Sequence, residues 1–272
     1  MEIQIGKGSM PIDNVNKTLY IPLYGKAYVS RKGMILSDPT AERIWQVEGF
    51  PLKGKSRSKW LAYYMGMRSA VYDQWLREKM KQWPDAVILH MGCGLDSRVH
   101  RVGTQGHSWL DVDFPEVIQE RRRYYEETDC YHMISGDIRQ TDWFSGMVTG
   151  KRAIIVMEGV SMYLTFRELQ SVFGYLQERF EEISLLMDCY TTFAAKASRY
   201  KNPIRDVGVS QVYGLDDPAA LDSTGIRFLQ EQDMTPQYLV NELQGMERKI
   251  FQKLYGGKMS RKLYRMYEFE KK

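Results

Sequence analysis

The chain has 272 residues, of which 43% are hydrophobic and 26% are charged, and its formal net charge is +4 at pH 7. This balance is typical of a soluble globular protein with a sizeable core, and it argues against a disordered or fibrous chain. No apolar run approaches the roughly 20 residues of a membrane span, and no Lys/Arg-rich block marks a nucleic-acid surface, so we predict neither a membrane nor a nucleic-acid partner.

The cysteines and histidines are too few and too scattered to indicate a disulfide framework or a metal site. The three cysteines have no zinc-type spacing, and the four histidines contain no i, i+4 pair. The first residues also lack the apolar segment of a signal peptide. We therefore predict no metal and a reduced, cytoplasmic location.

Residues 1–80 are expected to form an N-terminal helical cover over the rest of the chain. Their clearest element is a helix that Ser58 would cap and that runs to about Met80, with apolar residues at helical spacing. Arg68 lies on the apolar stripe of that helix, where a charge must be paired or must reach a ligand. The alternative is that its long side chain reaches water past the helix edge.

A short apolar, β-branched segment over 86–91 ends at Gly92 and Gly94, as a buried parallel strand does before a tight loop. Glycines there let the backbone approach a ligand closely. A dinucleotide-binding fingerprint would have a third glycine where Ser97 stands. The loop therefore favours a nucleoside cofactor without a pyrophosphate, of which S-adenosylmethionine is the obvious example, over a nicotinamide dinucleotide.

Asp113 follows the second predicted strand, Ser108–Val112, and lies 21 positions after Gly92. A carboxylate at this spacing accepts hydrogen bonds from the two ribose hydroxyls of a nucleoside. Asp113 also resembles the N-cap of a helix over 116–125, with Glu116 completing a capping box, and both roles can hold together. The three arginines at 121–123 are interpreted as a solvated face of that helix.

Two further strands, near 132–135 and at 153–157, end in acidic residues. Asp137 in the segment GDIR could bind an adenine amino group, although Gly-Asp is also a common turn. Glu158 follows the fourth strand, and its alternative role is a salt bridge to Arg68 or Arg98. Tyr163 could form a wall of the reacting centre, with plain core packing as the alternative.

The remaining chain completes an alternation of strands and helices. Thr165 and Glu168 form a capping box before a helix, and a fifth strand over 184–187 ends at Asp188. An irregular insertion follows at 190–224, then strands at 226–230 and near 263–269. This order predicts an α/β, Rossmann-like fold for residues 81–272, with a seven-stranded, mostly parallel sheet, helices on both faces and a crevice at the strand ends.

Four segments occur in an order and at spacings that resemble the leucine carboxyl methyltransferase family, which includes polyketide O-methyltransferases. They are 89–98 (LHMGCGLDSR), 110–117 (LDVDFPEV), 136–139 (GDIR) and 157–164 (MEGVSMYL). The segment 18–24 and the helix carrying Arg68 also resemble the family, so that the likeness covers about residues 15–190. Four ordered segments are far more specific than one glycine loop.

The resemblance implies an S-adenosylmethionine-dependent O-methyltransferase and assigns roles to single residues. Gly92 and Gly94 would approach the methionine part of the cofactor, Asp113 would hold the ribose, and Asp137 with Ile138 would meet the adenine. Arg68 would pair with the cofactor carboxylate. Glu158 and Tyr163 would lie near its amino group and its methyl end.

The methyl acceptor is not specified by these segments. We expect a carboxyl or hydroxyl group of a small, polyketide-like molecule, with Arg199 and Arg205 of the insertion as candidate contacts for an anionic acceptor. Methyl esterification of a protein C-terminal carboxylate is one alternative. A non-catalytic S-adenosylmethionine-binding protein is another, but it would be expected to lack Arg68, Asp113 or Glu158, and all three are present.

Overall fold

One seven-stranded sheet organises the chain. The structure, a computed structural model, describes residues 19–48, 52, 54–140, 143, 151–198, 211–256 and 260–272. The strands are β1 (Val87–Met91), β2 (Trp109–Asp113), β3 (Tyr131–Ser135), β4 (Arg152–Met157), β5 (Glu182–Tyr190), β6 (Arg227–Gln232) and β7 (Tyr264–Lys271). Their order across the sheet is β3-β2-β1-β4-β5-β7-β6. The predicted α/β fold with a seven-stranded sheet is confirmed.

The strand directions place the crevice. Strands β1 to β5 run parallel, whereas β7 is antiparallel to both β5 and β6. The strand order reverses between β1 and β4, because β2 continues the sheet on one side and β5 on the other. Ligands of open α/β sheets bind beyond the strand carboxyl ends at such a reversal. The ends of β1 and β4 therefore border the expected site.

Nine helices of the described residues surround the sheet. They are α1 (Tyr20–Arg31), α2 (Pro39–Glu48), α3 (Lys59–Gln82), α4 (Arg98–Val102), α5 (Pro115–Arg121), α6 (Phe166–Arg179), α7 (Thr192–Ser198), α8 (Gln237–Val240) and α9 (Gly245–Tyr255). Ser58 is the N-cap residue of α3, as predicted, but its side chain makes no capping hydrogen bond. The predicted capping box of Thr165 and Glu168 is present at the start of α6.

The central strands are buried on both faces, which explains why they are apolar throughout. On one face, Ile88 and Ile154 join the core that α1 and α3 cover. On the other face, Leu89 and Ile155 pack against α6. The N-terminal helices therefore share a hydrophobic core with the sheet and lie over one of its faces.

The insertion expected at 190–224 is partly described. Strand β5 continues to Tyr190, helix α7 follows, and a 3-10 helix occupies Pro218–Thr224. Residues 199–210 lie outside the described part of the chain. Within the described part, no helix is both long enough and apolar enough to cross a bilayer.

Candidate active site

The loop after β1 has a backbone conformation that requires glycine. Gly92 and Gly94 have φ angles of +69° and +52°. The Gly92 amide donates to the carbonyl of Val112 at 2.8 Å, which ties the loop to β2. A Cβ atom on Gly92 would lie 2.3 Å from Cγ2 of Val160. The loop therefore passes close to the segment after β4, as a ligand cradle at the strand reversal must.

Replacing Gly92 with alanine is expected to destabilise the protein through both backbone strain and overlap with Val160. Gly33 is a matched control, because its φ is +64° and nothing lies within 4 Å of an added Cβ. We expect Gly33→Ala to cost about 1–2 kcal/mol, the price of a left-handed residue. Gly92→Ala should cost about 1–3 kcal/mol more, from overpacking. Urea unfolding of the two variants measures the difference.

The double variant Gly92→Ala/Val160→Ala separates the two contributions. Removing the Val160 methyl groups should recover most of the excess cost and leave the strain of the positive φ. Equal unfolding free energies for Gly92→Ala and Gly33→Ala would show that the contact with Val160 does not restrict the loop.

Ser97, at the position of the missing third glycine, connects the loop to the N-terminal helices. Its buried hydroxyl lies 2.5 Å from the carboxylate oxygens of Asp38. The Asp38 Oδ1 atom also accepts a hydrogen bond of 2.9 Å from the amide of Ala41, in the first turn of α2. A serine at this position thus anchors α2 beside the loop, which a glycine could not do.

Asp113 lies at the carboxyl end of β2 and faces the crevice. Its Oδ2 atom accepts a hydrogen bond of 2.7 Å from the Gly94 amide, and its Oδ1 atom accepts one of 2.8 Å from the Phe114 amide. The predicted N-cap role is wrong, because Phe114 is the N-cap of α5 and makes no side-chain capping bond. Burial raises the pKa of Asp113, and the two amides oppose that shift. Each oxygen keeps a second lone pair for a ligand.

Of the three arginines at 121–123, Arg122 and Arg123 are exposed as interpreted, whereas Arg121 is buried, which corrects the interpretation for that residue. Helix α5 ends at Arg121, whose fully buried guanidinium pairs with Asp111 of β2 and donates to the Gly94 carbonyl at 3.0 Å. Burial opposes ionisation of Asp111, but Arg121 together with the hydrogen bonds from His90 and Tyr131 lowers the pKa of Asp111 to about 2. A buried aspartate within the apolar strand β2 was the sequence signal for such a partner.

Asp137 and Ile138 lie beyond β3 and line the same cavity as Asp113. The Asp137 carboxylate binds the Arg139 guanidinium, with Nη2–Oδ2 and Nε–Oδ1 distances of 2.6 and 2.9 Å. Burial opposes the ionisation of Asp137, but its hydrogen bonds with Arg139 hold its pKa below the ordinary value. The half-buried Ile138 packs against the core on the α6 side of the sheet. An anionic and an apolar group therefore border this end of the cavity.

Glu158, directly after β4, is buried between two arginines. Its Oε1 atom lies 2.9 Å from Nη2 of Arg68, and its Oε2 atom contacts Nη2 of Arg98. Ser69 donates to Oε1 at 2.9 Å. The salt bridge that the sequence offered as an alternative is present with both arginines. Burial raises the pKa of Glu158, but the guanidiniums of Arg68 and Arg98 outweigh it and keep that carboxylate ionised.

Arg68 is 4% exposed, so its side chain does not reach solvent along the helix edge. Its Nη1 atom lies 2.8 Å from Oδ2 of Asp188 and 3.2 Å from the Tyr264 hydroxyl. Its buried Nε atom has no hydrogen-bond partner among the described residues. Asp188, at the carboxyl end of β5, is fully buried, and its Oδ1 atom accepts a hydrogen bond of 2.6 Å from the Gly159 amide. Arg68 thus joins the ends of β4 and β5.

Further buried ion pairs, which the sequence did not predict, form a layer with those of Arg68 and Glu158 under the glycine loop. Lys26 of α1 lies 3.1 Å from Asp96, and both side chains are buried. Arg98 binds Asp73 at 2.8 Å, and Arg101 binds Asp96 at the same distance. A lysine within the apolar segment of α1 and charges directly after Gly94 were the available signals. The layer couples the N-terminal helices to the loop.

A single cavity of about 860 Å³ contains most of the predicted residues. Its described lining includes Arg68, Gly92, Gly94, Asp113, Asp137, Ile138, Glu158 and Tyr163. Asp188, which we expected to line the crevice, is fully buried and pairs with Arg68, and it is not among the described residues that line the cavity. Arg199 and Arg205 fall outside the described residues, although Ser198 of α7 lines the cavity. The volume is typical of ligand sites, which span about 300–1,000 Å³.

The cavity also has an apolar, aromatic end that sequence reasoning did not identify. This part of the lining comes from α3, β5, α9 and β7, and it includes Leu61, Tyr64, Tyr190, Tyr255 and Tyr264. Arg68 contacts both Tyr264 of this group and the carboxylate of Glu158. Because these tyrosines come from distant segments, their convergence had no local sequence signal.

The chain is similar in sequence to known methyltransferases. A sequence model of the leucine carboxyl methyltransferase family matches residues 23–177. The tetracenomycin polyketide synthesis O-methyltransferase TcmP of Streptomyces glaucescens is 26% identical over 241 residues, which cover 87% of this chain and 89% of that protein. The S-adenosyl-L-methionine-dependent methyltransferase dpfgK of Gibberella zeae is 24% identical over 242 residues, covering 80% and 81% of the two chains.

Solved structures share the fold at lower identity. One from Thermobifida fusca YX, provisionally assigned as a methyltransferase, has a TM-score of 0.59 at 14% identity and covers 91% of this chain and 94% of its own. Magnesium protoporphyrin IX methyltransferase of Synechocystis PCC 6803, solved with bound SAH, has a TM-score of 0.51 at 11% identity, with coverages of 94% and 100%. These two likenesses concern the fold alone.

Proposed function

Because the chain belongs to the leucine carboxyl methyltransferase family, we propose that it methylates an oxygen atom of a small molecule, at a carboxyl or hydroxyl group of a polyketide-like metabolite. Membership of this family makes the chain an S-adenosylmethionine-dependent methyltransferase. Its similarity to the tetracenomycin polyketide enzyme supports the narrower acceptor class.

The observation that carries the proposal is the set of side chains that line this one cavity. Part of its lining is the glycine loop with the strand-end carboxylates, and another part is apolar and aromatic, with side chains from α3, α9 and β7. A polar cofactor and a largely apolar acceptor can therefore lie in one cavity. Such sharing is what a direct transfer between two bound molecules requires.

The residues at the glycine-loop end fit the cofactor by their chemistry. Gly92 and Gly94 present backbone without a side chain to the cavity, and Asp113 has lone pairs left for two ribose hydroxyls. We assign Asp137 to the adenine amino group and Ile138 to the face of the adenine ring. Their positions beyond β3, on the same cavity as Asp113, support that assignment.

Arg68 and Glu158 are assigned to the amino-acid end of the cofactor. Within the described part of the chain the buried Nε atom of Arg68 has no partner, so this guanidinium has a donor left for a carboxylate. Glu158 stays ionised between Arg68 and Arg98, and an anion there favours a neighbouring ammonium group. Both side chains line the cavity.

S-adenosylmethionine supplies an electrophilic methyl group on a sulfonium centre when it is bound. The protein has to hold the acceptor oxygen in line with that group and to exclude water. Side chains of α1 and α3 line the cavity, and so does Tyr163. We propose that Tyr163 forms a wall of the reacting centre. A carboxylate acceptor is already ionised at neutral pH, whereas a phenol benefits from a general base.

Arg199 and Arg205 remain proposals for contacts with an anionic acceptor. Arg199 directly follows Ser198, a residue of the cavity wall, and this adjacency supports the assignment. A guanidinium near the acceptor end would pair with a carboxylate or an ionised phenol.

The proposal is tested by transfer of a radiolabelled methyl group from S-adenosylmethionine to defined acceptors. The set contains hydroxylated naphthoic acids, aliphatic carboxylic acids and a tetrapeptide with a C-terminal leucine. Treatment with base releases methanol from methyl esters but not from aryl ethers, so it identifies the methylated oxygen. We expect labelled small-molecule product in this assay.

Other outcomes would contradict the proposal. Labelling of the peptide alone would favour methylation of a protein C-terminal carboxylate. Calorimetric binding of S-adenosylhomocysteine without transfer to any acceptor would favour a non-catalytic binding protein. Binding of a nicotinamide dinucleotide in place of S-adenosylhomocysteine would contradict the cofactor assignment.

A further inference from the structure

The lining of the cavity is anionic, although the protein as a whole is cationic. The formal net charge of the chain is +4 at pH 7. Among the described residues of the lining, three lysine or arginine side chains face five carboxylates. The cations are Lys26, Arg68 and Arg139, and the carboxylates are Asp96, Asp113, Asp137, Glu158 and the exposed Glu116. The cavity therefore favours a ligand with a net positive charge, because opposite charges attract strongly in a partly desolvated site.

The buried ion pairs under the glycine loop have the same imbalance. They connect four cationic side chains to five carboxylates, so that one carboxylate is in excess among the described residues of this network. The cations are Lys26, Arg68, Arg98 and Arg101, and the carboxylates are Asp38, Asp73, Asp96, Glu158 and Asp188. All nine side chains are buried, so solvent ions screen the excess charge only weakly.

Asp96 belongs both to the lining and to the network. Its Oδ1 atom lies 2.8 Å from Nη1 of Arg101 and 3.1 Å from Nζ of Lys26. Its Oδ2 atom is buried and accepts no hydrogen bond within the described part of the chain, although Nη2 of Arg98 lies 3.2 Å away. Burial raises the pKa of Asp96, but the three neighbouring cations outweigh burial and hold it well below its ordinary value. The carboxylate is therefore ionised at neutral pH and faces a cavity that has too few cations.

We propose that the anionic lining, with Asp96 as its determining residue, makes the cavity prefer S-adenosylmethionine to S-adenosylhomocysteine. The first molecule has a net positive charge and the second is neutral overall. Methyl transfer to the acceptor breaks one carbon–sulfur bond and leaves its electron pair on sulfur, so the sulfonium charge is lost. The attraction to the lining then weakens, and the spent cofactor dissociates more readily. This inference rests on the proposed function and adds a specificity residue to it.

Other contacts of the site cannot make this distinction. Both molecules have the same adenosine and amino-acid parts, so residues that bind those parts stabilise both complexes equally. The two molecules differ only by one methyl group and one positive charge. The methyl group makes the same apolar contacts in every charge variant, so a change in relative affinity between variants isolates the effect of charge.

The inference is tested by isothermal titration calorimetry of both molecules without an acceptor. The measured quantity is the Kd of S-adenosylhomocysteine divided by the Kd of S-adenosylmethionine. Asp96→Asn should lower this ratio roughly three- to thirtyfold, as expected for the loss of a unit charge at an effective dielectric constant of 20 or more. Lys26→Met should raise the ratio, because it increases the excess of negative charge. A variant that merely damaged the site would not change the ratio in opposite directions.

Two further variants separate charge from local structure. Lys26→Met/Asp96→Asn is the matched control, because it removes both members of one ion pair and keeps the net charge of the network. Its ratio should equal that of the unmodified protein. Glu116→Gln removes a lining charge at an exposed position, so it provides a second test if Asp96→Asn does not fold. It should lower the ratio by a smaller factor, roughly two- to fivefold, because solvent screens it. The thermal midpoint is measured for each variant.

Two results would overturn the inference. One is an unchanged ratio in both Asp96→Asn and Glu116→Gln. The other is an equal fall of the ratio in Lys26→Met and Asp96→Asn, because disruption of their ion pair would then explain both. The proposed function fails separately, when no acceptor of the transfer assay is methylated. Methylation of a small acceptor by a protein whose ratio does not respond to Asp96→Asn or Glu116→Gln would retain that function and reject Asp96 as a specificity residue.

Discussion

Arg68→Met is expected to lower the free energy of unfolding by about 3–5 kcal/mol, the usual cost of leaving a buried charge without its partner. Arg68 pairs with Glu158 at 2.9 Å and with Asp188 at 2.8 Å, and all three side chains are buried. Its removal leaves two buried carboxylates with less compensation. Urea unfolding at neutral pH measures the loss.

A surface arginine provides the matched control for this prediction. Arg123 pairs with Glu120 at 2.6 Å, but its side chain is 49% exposed. Exposed pairs contribute about 0–1 kcal/mol, so Arg123→Met should change stability by less than that. The double variant Arg68→Met/Asp188→Asn should regain part of the loss, because one uncompensated carboxylate becomes neutral. A loss below 1 kcal/mol for Arg68→Met would refute the stabilising role of this pair.

Arg68→Lys separates charge from geometry. One ammonium group restores the positive charge, but it cannot present two terminal nitrogens to Glu158 and Asp188 together. We expect intermediate stability and weakened binding of S-adenosylhomocysteine. Unchanged cofactor affinity in a folded Arg68→Lys protein would confine Arg68 to the structural ion pairs.

Asp113→Asn is expected to weaken S-adenosylhomocysteine binding about ten- to a hundredfold. A hydrogen bond to a charged group contributes about 1.5–3 kcal/mol, and each 1.4 kcal/mol is a factor of ten in affinity. The substitution keeps the shape of the side chain but removes its charge. It also replaces one carboxylate oxygen with an NH2 group, which cannot accept a hydrogen bond, so either the Gly94 amide or the Phe114 amide loses its acceptor. Isothermal titration calorimetry gives Kd directly.

Asp129→Asn is the control for the loss of one negative charge, because Asp129 is exposed in the loop before β3. Its Kd should equal that of the unmodified protein. The thermal midpoint of Asp113→Asn shows whether the variant is folded at the assay temperature. A folded Asp113→Asn protein with undiminished affinity would remove Asp113 from the ribose contact.

Local signals predicted the strands, the turns and one cap. The apolar segment before Gly92 is β1, and the pair Thr165 and Glu168 does begin α6. These features depend on neighbours within a few positions, such as a glycine at positive φ or a side chain that reaches its own helix amide. Asp113 is the exception among caps, because the adjacent Phe114 takes that position while the aspartate turns toward the loop.

Charges were the least predictable feature. Arg121 was interpreted as solvated because acidic residues flank it, yet it is fully buried against Asp111. The burial of Arg68 was anticipated from its stripe on α3, but the sequence could not choose between its partners. Asp188 lies 120 positions away, and only the adjacency of β4 and β5 brings it to the same end of the sheet.

The sequence by itself determined the family, the order of strands and helices, and the glycine loop with its strand-end carboxylates, because each is encoded in contiguous segments. Only the tertiary structure decided which charges pair under the loop and which side chains enclose the acceptor end. Those contacts join α1, α3, α9 and β7, which are far apart along the chain. Their partners are selected by the cost of burying unpaired charge and by the packing of the sheet, and no local pattern records either.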